Sequence, residues 1–87
     1  MELVMDDMQA VLLRMKRAHG HLGSVIRMIE EGADCEKVLT QLAAVSKALD
    51  KSGFAIVASG LQRCIAAGEN TDAVDVQKLE KLFLALA

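Results

Sequence analysis

The absence of proline is the feature that most constrains how this chain can fold. Proline breaks or kinks a helix, and none of the 87 residues is a proline. Apolar side chains recur at the three- and four-residue spacing of amphipathic helices, and this pattern is interrupted only around Gly32 and at residues 68–70. The chain is therefore predicted to be all-α.

Three helical segments are expected within a single domain that spans residues 1–87. They run over about residues 3–31, 35–67 and 72–86. Gly32 is a natural stop for the first helix, and Asp34 is a natural N-cap for the second. Gly53 and Gly60 permit a close helix approach, but a break of the second helix at Gly53 is an alternative.

The apolar content of the chain predicts self-association. Apolar residues make up 53% of the chain, and three helices of this size cannot bury them all, because small chains hide a low fraction of their surface. The apolar stripe of the second helix runs through Leu39, Leu42, Val45, Leu49, Ile56, Leu61 and Ile65. No membrane span or signal peptide is predicted, so a cytoplasmic location is expected.

Two cysteines, Cys35 and Cys64, are the candidate sensing residues. On one continuous helix they are separated by ~43 Å of rise but lie within roughly 20° of the same face. An antiparallel second copy with a dyad near Leu49 and Asp50 brings Cys35 of one chain beside Cys64 of the other, twice per dimer. The alternative is that both are small core residues with no sensing role.

A local basic patch on the first helix is the candidate DNA-binding surface. The net charge of −2 argues against a globally basic nucleic-acid binder, so any DNA contact must come from such a patch. The segment 14–27 has no acidic residue and carries Arg14, Lys16 and Arg17. Repetition in an oligomer would enlarge this patch into a phosphate-binding surface. An ordinary solvated helix face is the alternative.

These residues resemble the CsoR/RcnR family of bacterial repressors, which respond to copper, nickel or cobalt, formaldehyde or persulfide. The resemblance is carried by RMKRAHGHLGSVIRMIEEGADC at residues 14–35, by QLAAV at 41–45 and by the second cysteine near the end of the second helix. It implies a three-helix protomer, an antiparallel helical dimer and a dimer-of-dimers tetramer. It also implies that the effector-free protein binds double-stranded operator DNA and is released when an inter-chain site reacts or fills.

The resemblance also assigns the DNA contacts. The family's basic positions in the first helix correspond to Arg14, Lys16 and Arg17. In the second helix, Ser46 stands where the family has an arginine, so Lys47 or Lys51 is the expected substitute. Of these two lysines, Lys51 is the one we predict to contact DNA.

The expected effector site departs from that of the copper-sensing members at one position. Those members have a histidine four residues before the second cysteine, and this chain has Gly60 there. Only the thiolates of Cys35 and Cys64 remain, which resembles the persulfide-sensing branch, where reactive sulfur joins the cysteines through a di- or polysulfide bridge. Gly60 would leave room for the added sulfur atoms, and no cofactor would be required.

The first hypothesis is therefore a repressor that responds to persulfide or polysulfide, and two other hypotheses stay open. Two thiolates can hold Cu(I) linearly, so a copper-responsive repressor with Cys35 and Cys64 as metal ligands is the second. Any third donor would come from His19 or His21, which do not share a helix face and are expected to be surface or phosphate-contacting residues. The third hypothesis is a helical interaction module whose cysteines are inert. An enzyme is not predicted, because the sequence lacks a catalytic triad, a phosphate-binding loop and a paired-carboxylate site.

Overall fold

The computed structural model of the protein describes residues 2–66 and 73–87, with all their side chains except those of Cys64, Ala73 and Val74. It contains three helices, α1 (Met5–Glu30), α2 (Cys35–Ala66) and α3 (Ala73–Leu86). The prediction of an all-α, three-helix protomer is confirmed, and each helix begins and ends within two residues of the expected segment. The predicted turn at residues 68–70 lies outside the described residues, and the dimer and tetramer stay predictions.

The corner between α1 and α2 is defined by backbone geometry and by a side-chain cap. Gly32 has a φ of +72°, the left-handed conformation that glycine adopts without strain. The N–H groups of Gly32 and Ala33 donate to carbonyls of the last turn of α1 at 3.1 and 2.9 Å, which is a Schellman motif. The Asp34 carboxylate accepts hydrogen bonds from the N–H groups of Glu36 at 3.1 Å and Lys37 at 3.4 Å. Both predicted roles, the Gly32 stop and the Asp34 cap, are confirmed.

α2 runs unbroken through both of its glycines, so the alternative of a break at Gly53 is wrong. The glycines allow α3 to approach closely. A Cβ atom on Gly53 would lie 2.9 Å from Leu86 Cδ1, and one on Gly60 would lie 3.1 Å from Leu79 Cδ2. Each glycine costs about 1 kcal/mol of helix stability relative to alanine, and the packing of α3 offsets that cost.

α1 and α3 both pack against α2. The buried apolar residues are Met8, Val11, Ala18 and Val25 of α1, Val45 of α2 and Leu79 of α3. Ser52 is also buried, seven residues from Val45 on the same face of α2, and its hydroxyl donates to the Ala48 carbonyl at 3.0 Å. The rings of Phe54 and Phe83 meet between α2 and α3 with their centroids 5.2 Å apart.

The core of the protomer is small. Of the apolar stripe predicted for the second helix, only Val45 is buried, and Leu39 and Ile65 are 58% and 67% exposed. On α1, Ile26 and Ile29 are also exposed. The large unburied apolar surface expected from the composition is therefore present on this single chain. None of the described helices is long and apolar enough to span a bilayer.

Candidate functional site

Cys35 is the first residue of α2, and its thiol is free and exposed. The hydrogen bonds from the N–H groups of Glu36 and Lys37 to Asp34 fix the residues that follow Cys35. The Schellman motif at Gly32 and Ala33 fixes the residues that precede it. The backbone of Cys35 is thus held on both sides while its side chain is open to solvent. A small effector or a residue of another chain can reach this thiol.

Cys64 lies in the last turn of the same helix, and its side chain is outside the described part of the structure. Because α2 is continuous, the two cysteines are ~43 Å apart along its axis at 1.5 Å per residue. This is most of the 56 Å length of the protomer. The cysteines therefore cannot form one site within a chain, and their pairing between chains stays a prediction.

One face of α2 carries both cysteines, and we call it the cysteine face. It consists of positions 35, 39, 42, 46, 49, 53, 57, 60 and 64, which lie within about 40° of the direction of Cys35. In the N-terminal half of this face, Leu42 and Leu49 are 41% and 43% exposed. In the C-terminal half, Gly53 and Gly60 lie beneath α3. The helix that approaches the predicted glycine seam is therefore α3 of the same chain.

The space beside Gly60 is filled by a side chain. Leu79 is only 6% exposed, and its Cδ2 atom lies 3.1 Å from the position of a Cβ on Gly60. The prediction that Gly60 leaves room for added sulfur atoms is wrong for this protomer, because α3 occupies that room. A sequence cannot tell which element fills the space that a glycine leaves.

The donors available for a metal are few. His21 Nε2 donates to Gln41 Oε1 at 2.6 Å, which links α1 to α2, and His19 is exposed on α1. Within residues 2–66 and 73–87, apart from the three side chains not described, no three His, Cys, Asp or Glu residues cluster as a metal site. A pair of thiolates suits a soft ion such as Cu(I), which accepts two donors, and does not suit nickel or cobalt, which require more nitrogen donors.

The four basic residues predicted to bind DNA all lie on the surface. They are Arg14, Lys16, Arg17 and Lys51. Arg14 and Arg17 share one side of α1 because they are three residues apart, whereas Lys16 lies on another side. Lys51 is on α2, and no described contact brings it to the basic residues of α1. Among the described residues, none of the four pairs with an acidic side chain, so their charges are available for phosphates.

An ion pair that no sequence pattern indicated links the beginning of α1 to the end of α2. Arg63 donates through Nε and Nη2 to Asp7 Oδ2, both at 2.8 Å, and Ser59 Oγ donates to the same oxygen at 3.4 Å. Arg63 directly precedes Cys64 in the chain. The partners are 56 residues apart, a separation at which sequence spacing gives no signal. The role of Leu79 was also missed, although the equal seven-residue spacing of Gly53 and Gly60 and of Leu79 and Leu86 could have indicated it.

Comparison with known proteins identifies related repressors. Residues 7–87 match the family described as metal-sensitive transcriptional repressor. The copper-sensing transcriptional repressor CsoR of Mycobacterium ulcerans is 39% identical over 62 residues, which are 71% of this chain and 53% of that protein. CsoR of Mycobacterium tuberculosis is 33% identical over 58 residues, 67% of this chain and 49% of that protein. An uncharacterized protein in the bioA 5' region of Serratia marcescens is 29% identical over 80 residues, 92% of this chain and 88% of its own length.

No solved structure is significantly similar to this chain. The chain spans about half the length of the CsoR relatives that it matches. The names of these relatives favour the copper-responsive hypothesis over the persulfide-responsive one, and they do not indicate the persulfide-sensing branch. The matched family consists of transcriptional repressors and not of enzymes. Because that match covers nearly the whole sequence, this chain belongs to the metal-sensitive transcriptional repressor family.

Proposed function

We propose that this chain is an operator-binding transcriptional repressor whose effector acts on Cys35 of one chain and Cys64 of another. The observation that carries the proposal is the unbroken α2, which has one cysteine at each end of the same face. Only a second chain can bring the two thiols together. An antiparallel dimer forms two equivalent sites because a two-fold interface is isologous, and two dimers form the DNA-binding tetramer.

The proposed coupling to DNA runs from α2 to α1. α1 packs along α2, and the Asp7–Arg63 ion pair attaches the beginning of α1 beside position 64. An effector that joins the ends of two α2 helices shifts the attached α1 helices relative to each other. The basic side chains of Arg14, Lys16, Arg17 and Lys51 then lose their register with the phosphates, and affinity falls at several contacts at once.

Cu(I) is the first candidate effector, and the copper-sensing names of the relatives support it. Cys35 and Cys64 would hold the ion, because a soft monovalent ion accepts two thiolates in linear coordination. Gly60 has no donor, and His21 is hydrogen-bonded to Gln41. The copper site we propose is therefore two-coordinate.

Reactive sulfur is the second candidate effector, and the missing donor at Gly60 supports it. One thiolate attacks the sulfane sulfur of a persulfide, takes up that sulfur and releases a thiolate. The second cysteine thiolate then attacks the inner sulfur atom, Sγ, of the modified cysteine. A disulfide between the two cysteines forms, and hydrosulfide leaves. The two cysteines are oxidised and the sulfane sulfur is reduced. Leu79 at Gly60 favours a bridge with few added sulfur atoms.

The test measures DNA binding and cysteine chemistry on the same samples. The reduced chain is titrated anaerobically with Cu(I) or with polysulfide, and binding to a duplex selected by the effector-free protein is followed by fluorescence anisotropy. We expect one effector to weaken binding at least about tenfold in the wild type. Cys35→Ser and Cys64→Ser are expected to bind DNA normally and to lose the response.

Mass spectrometry separates the candidates. One Cu(I) per cysteine pair without a covalent dimer identifies copper, and a covalent dimer linked through Cys35 and Cys64 identifies reactive sulfur. If neither effector changes DNA binding, and both serine variants behave like the wild type, the proposal fails and the chain is an interaction module with inert cysteines.

A further inference from the structure

We propose that Leu79 of α3 determines the specificity of the effector site, because it fills the space beside Gly60, the position one helical turn before Cys64 from which a third ligand could come. The inference rests on the dicysteine site proposed above. Position 60 lies one helical turn before position 64 on the cysteine face. The i, i+4 spacing is the one at which two side chains of a single helix can bind a common ligand.

The contact between Leu79 and Gly60 leaves little space for a side chain at position 60. A Cβ atom there would lie 3.1 Å from Leu79 Cδ2 and 3.5 Å from Cδ1. The first distance is tighter than ordinary van der Waals contact, so even a methyl group requires a small shift of Leu79. An imidazole is far larger, so we expect it to require a larger displacement of Leu79. Leu79 is 6% exposed, so it cannot move without disturbing the packing around it.

α3 holds Leu79 in place through contacts elsewhere along its length. Leu86 packs on Gly53 as Leu79 packs on Gly60, and in both helices the paired residues are seven positions apart. Phe83 meets Phe54 between these two contacts. Antiparallel helices with matched seven-residue spacing have a defined register, so the placement of Leu79 is determined by the whole helix.

The chemical consequence is selection by coordination number. Because Leu79 covers Gly60, position 60 offers no nitrogen donor. The site then accepts effectors that two thiolates satisfy, such as linear Cu(I) or a sulfur bridge. It rejects zinc, nickel and cobalt, which require four or more ligands in most protein sites. The specificity of this site thus resides in Gly60, which supplies no donor, and in the leucine of α3 that fills the space beside it.

The test places a histidine at position 60 with and without Leu79. The full-length reduced variants Gly60→His, Gly60→His/Leu79→Ala and Gly60→His/Leu86→Ala are loaded with Cu(I) and studied by X-ray absorption. We expect sulfur neighbours only in the wild type, in Gly60→His and in the Leu86→Ala control. One nitrogen neighbour should appear in Gly60→His/Leu79→Ala. Nitrogen in Gly60→His alone, or none in the Leu79→Ala double variant, overturns the inference.

A second measurement does not depend on the effector. Thermal unfolding of the metal-free proteins should show that Gly60→His lowers the midpoint by roughly 5–10 °C. The effects of Gly60→His and Leu79→Ala should be less than additive, because removing Leu79 makes room for the imidazole. Additive effects overturn the inference. If the wild type binds no Cu(I), the copper candidate of the proposed function fails, and this unfolding cycle still decides whether Leu79 fills the space.

Discussion

The two halves of the cysteine face of α2 are covered in different ways. The N-terminal half begins at Cys35 and exposes Leu42 and Leu49. The C-terminal half has Gly53 and Gly60 and lies beneath leucines of α3. Residue size explains the difference: glycines let a helix of the same chain come close, whereas leucines project and present an apolar surface. One helix face thus provides an intramolecular contact and an exposed apolar patch.

In the proposed antiparallel dimer, these halves oppose each other. A dyad near Leu49 and Asp50 places the uncovered half of one α2 against the half of the other that α3 covers. α3 then forms part of the predicted interface, at the end of α2 that carries Cys64. Three kinds of substitution test whether the two halves differ in this way.

A charge in the uncovered half should disrupt association. We expect Leu42→Lys to raise the dissociation constant of the oligomer by about 100-fold or more, because a lysine in an apolar interface loses its hydration. Sedimentation velocity over a range of concentrations measures this shift. Thr40→Lys adds the same charge on another side of α2 and serves as the control. Unchanged association in Leu42→Lys would show that the exposed leucines are not an interface.

A cavity in the covered half should lower the stability of the fold. We expect Leu79→Ala to reduce the free energy of unfolding by about 2–5 kcal/mol, the range for a buried leucine. Leu86→Ala should cost less, because Leu86 is already 36% exposed. Urea denaturation at one protein concentration measures both losses, since the stability of an oligomer depends on concentration. Equal losses would mean that the two glycine contacts do not differ in burial.

Removing the ion pair at the end of α2 should have the smallest effect on stability. We expect Arg63→Ala to cost less than about 1 kcal/mol, because the Arg63 side chain is about half exposed and solvent screens it. Asp7→Asn and the double variant complete a cycle for urea denaturation. The coupling should decrease in about 1 M salt. A coupling that is large and independent of salt would contradict this expectation.

Local signals predicted most of the fold. The helix period, the Gly32 stop and the Asp34 cap act over a few residues, and the sequence contains all the information they require. Local signals do not determine the continuity of α2 through Gly53, because a glycine costs only about 1 kcal/mol in a helix and tertiary contacts decide the outcome. Those contacts come from α3, whose docking is not a local property.

The candidate site was predicted less completely than the fold. The sequence predicted the two cysteines as the site and showed that Gly60 has no donor, and Cys35 is exposed at the start of α2, which the proposed sensing role requires. It misjudged the space beside Gly60, because that space depends on where Leu79 comes to lie. The pairing of the cysteines between chains stays a prediction, and so do the DNA contacts.

In the proposed mechanism, the unbroken α2 is long enough to act as a lever. Its 32 residues correspond to ~48 Å of length at 1.5 Å per residue. A tilt of about 3° at one end of such a rod moves the other end by about 2.5 Å. This displacement is comparable to one additional bond at a sulfur atom, about 2 Å long. An effector of one or two atoms is therefore large enough to redirect side chains at the opposite end of the protomer, provided that the rod does not bend.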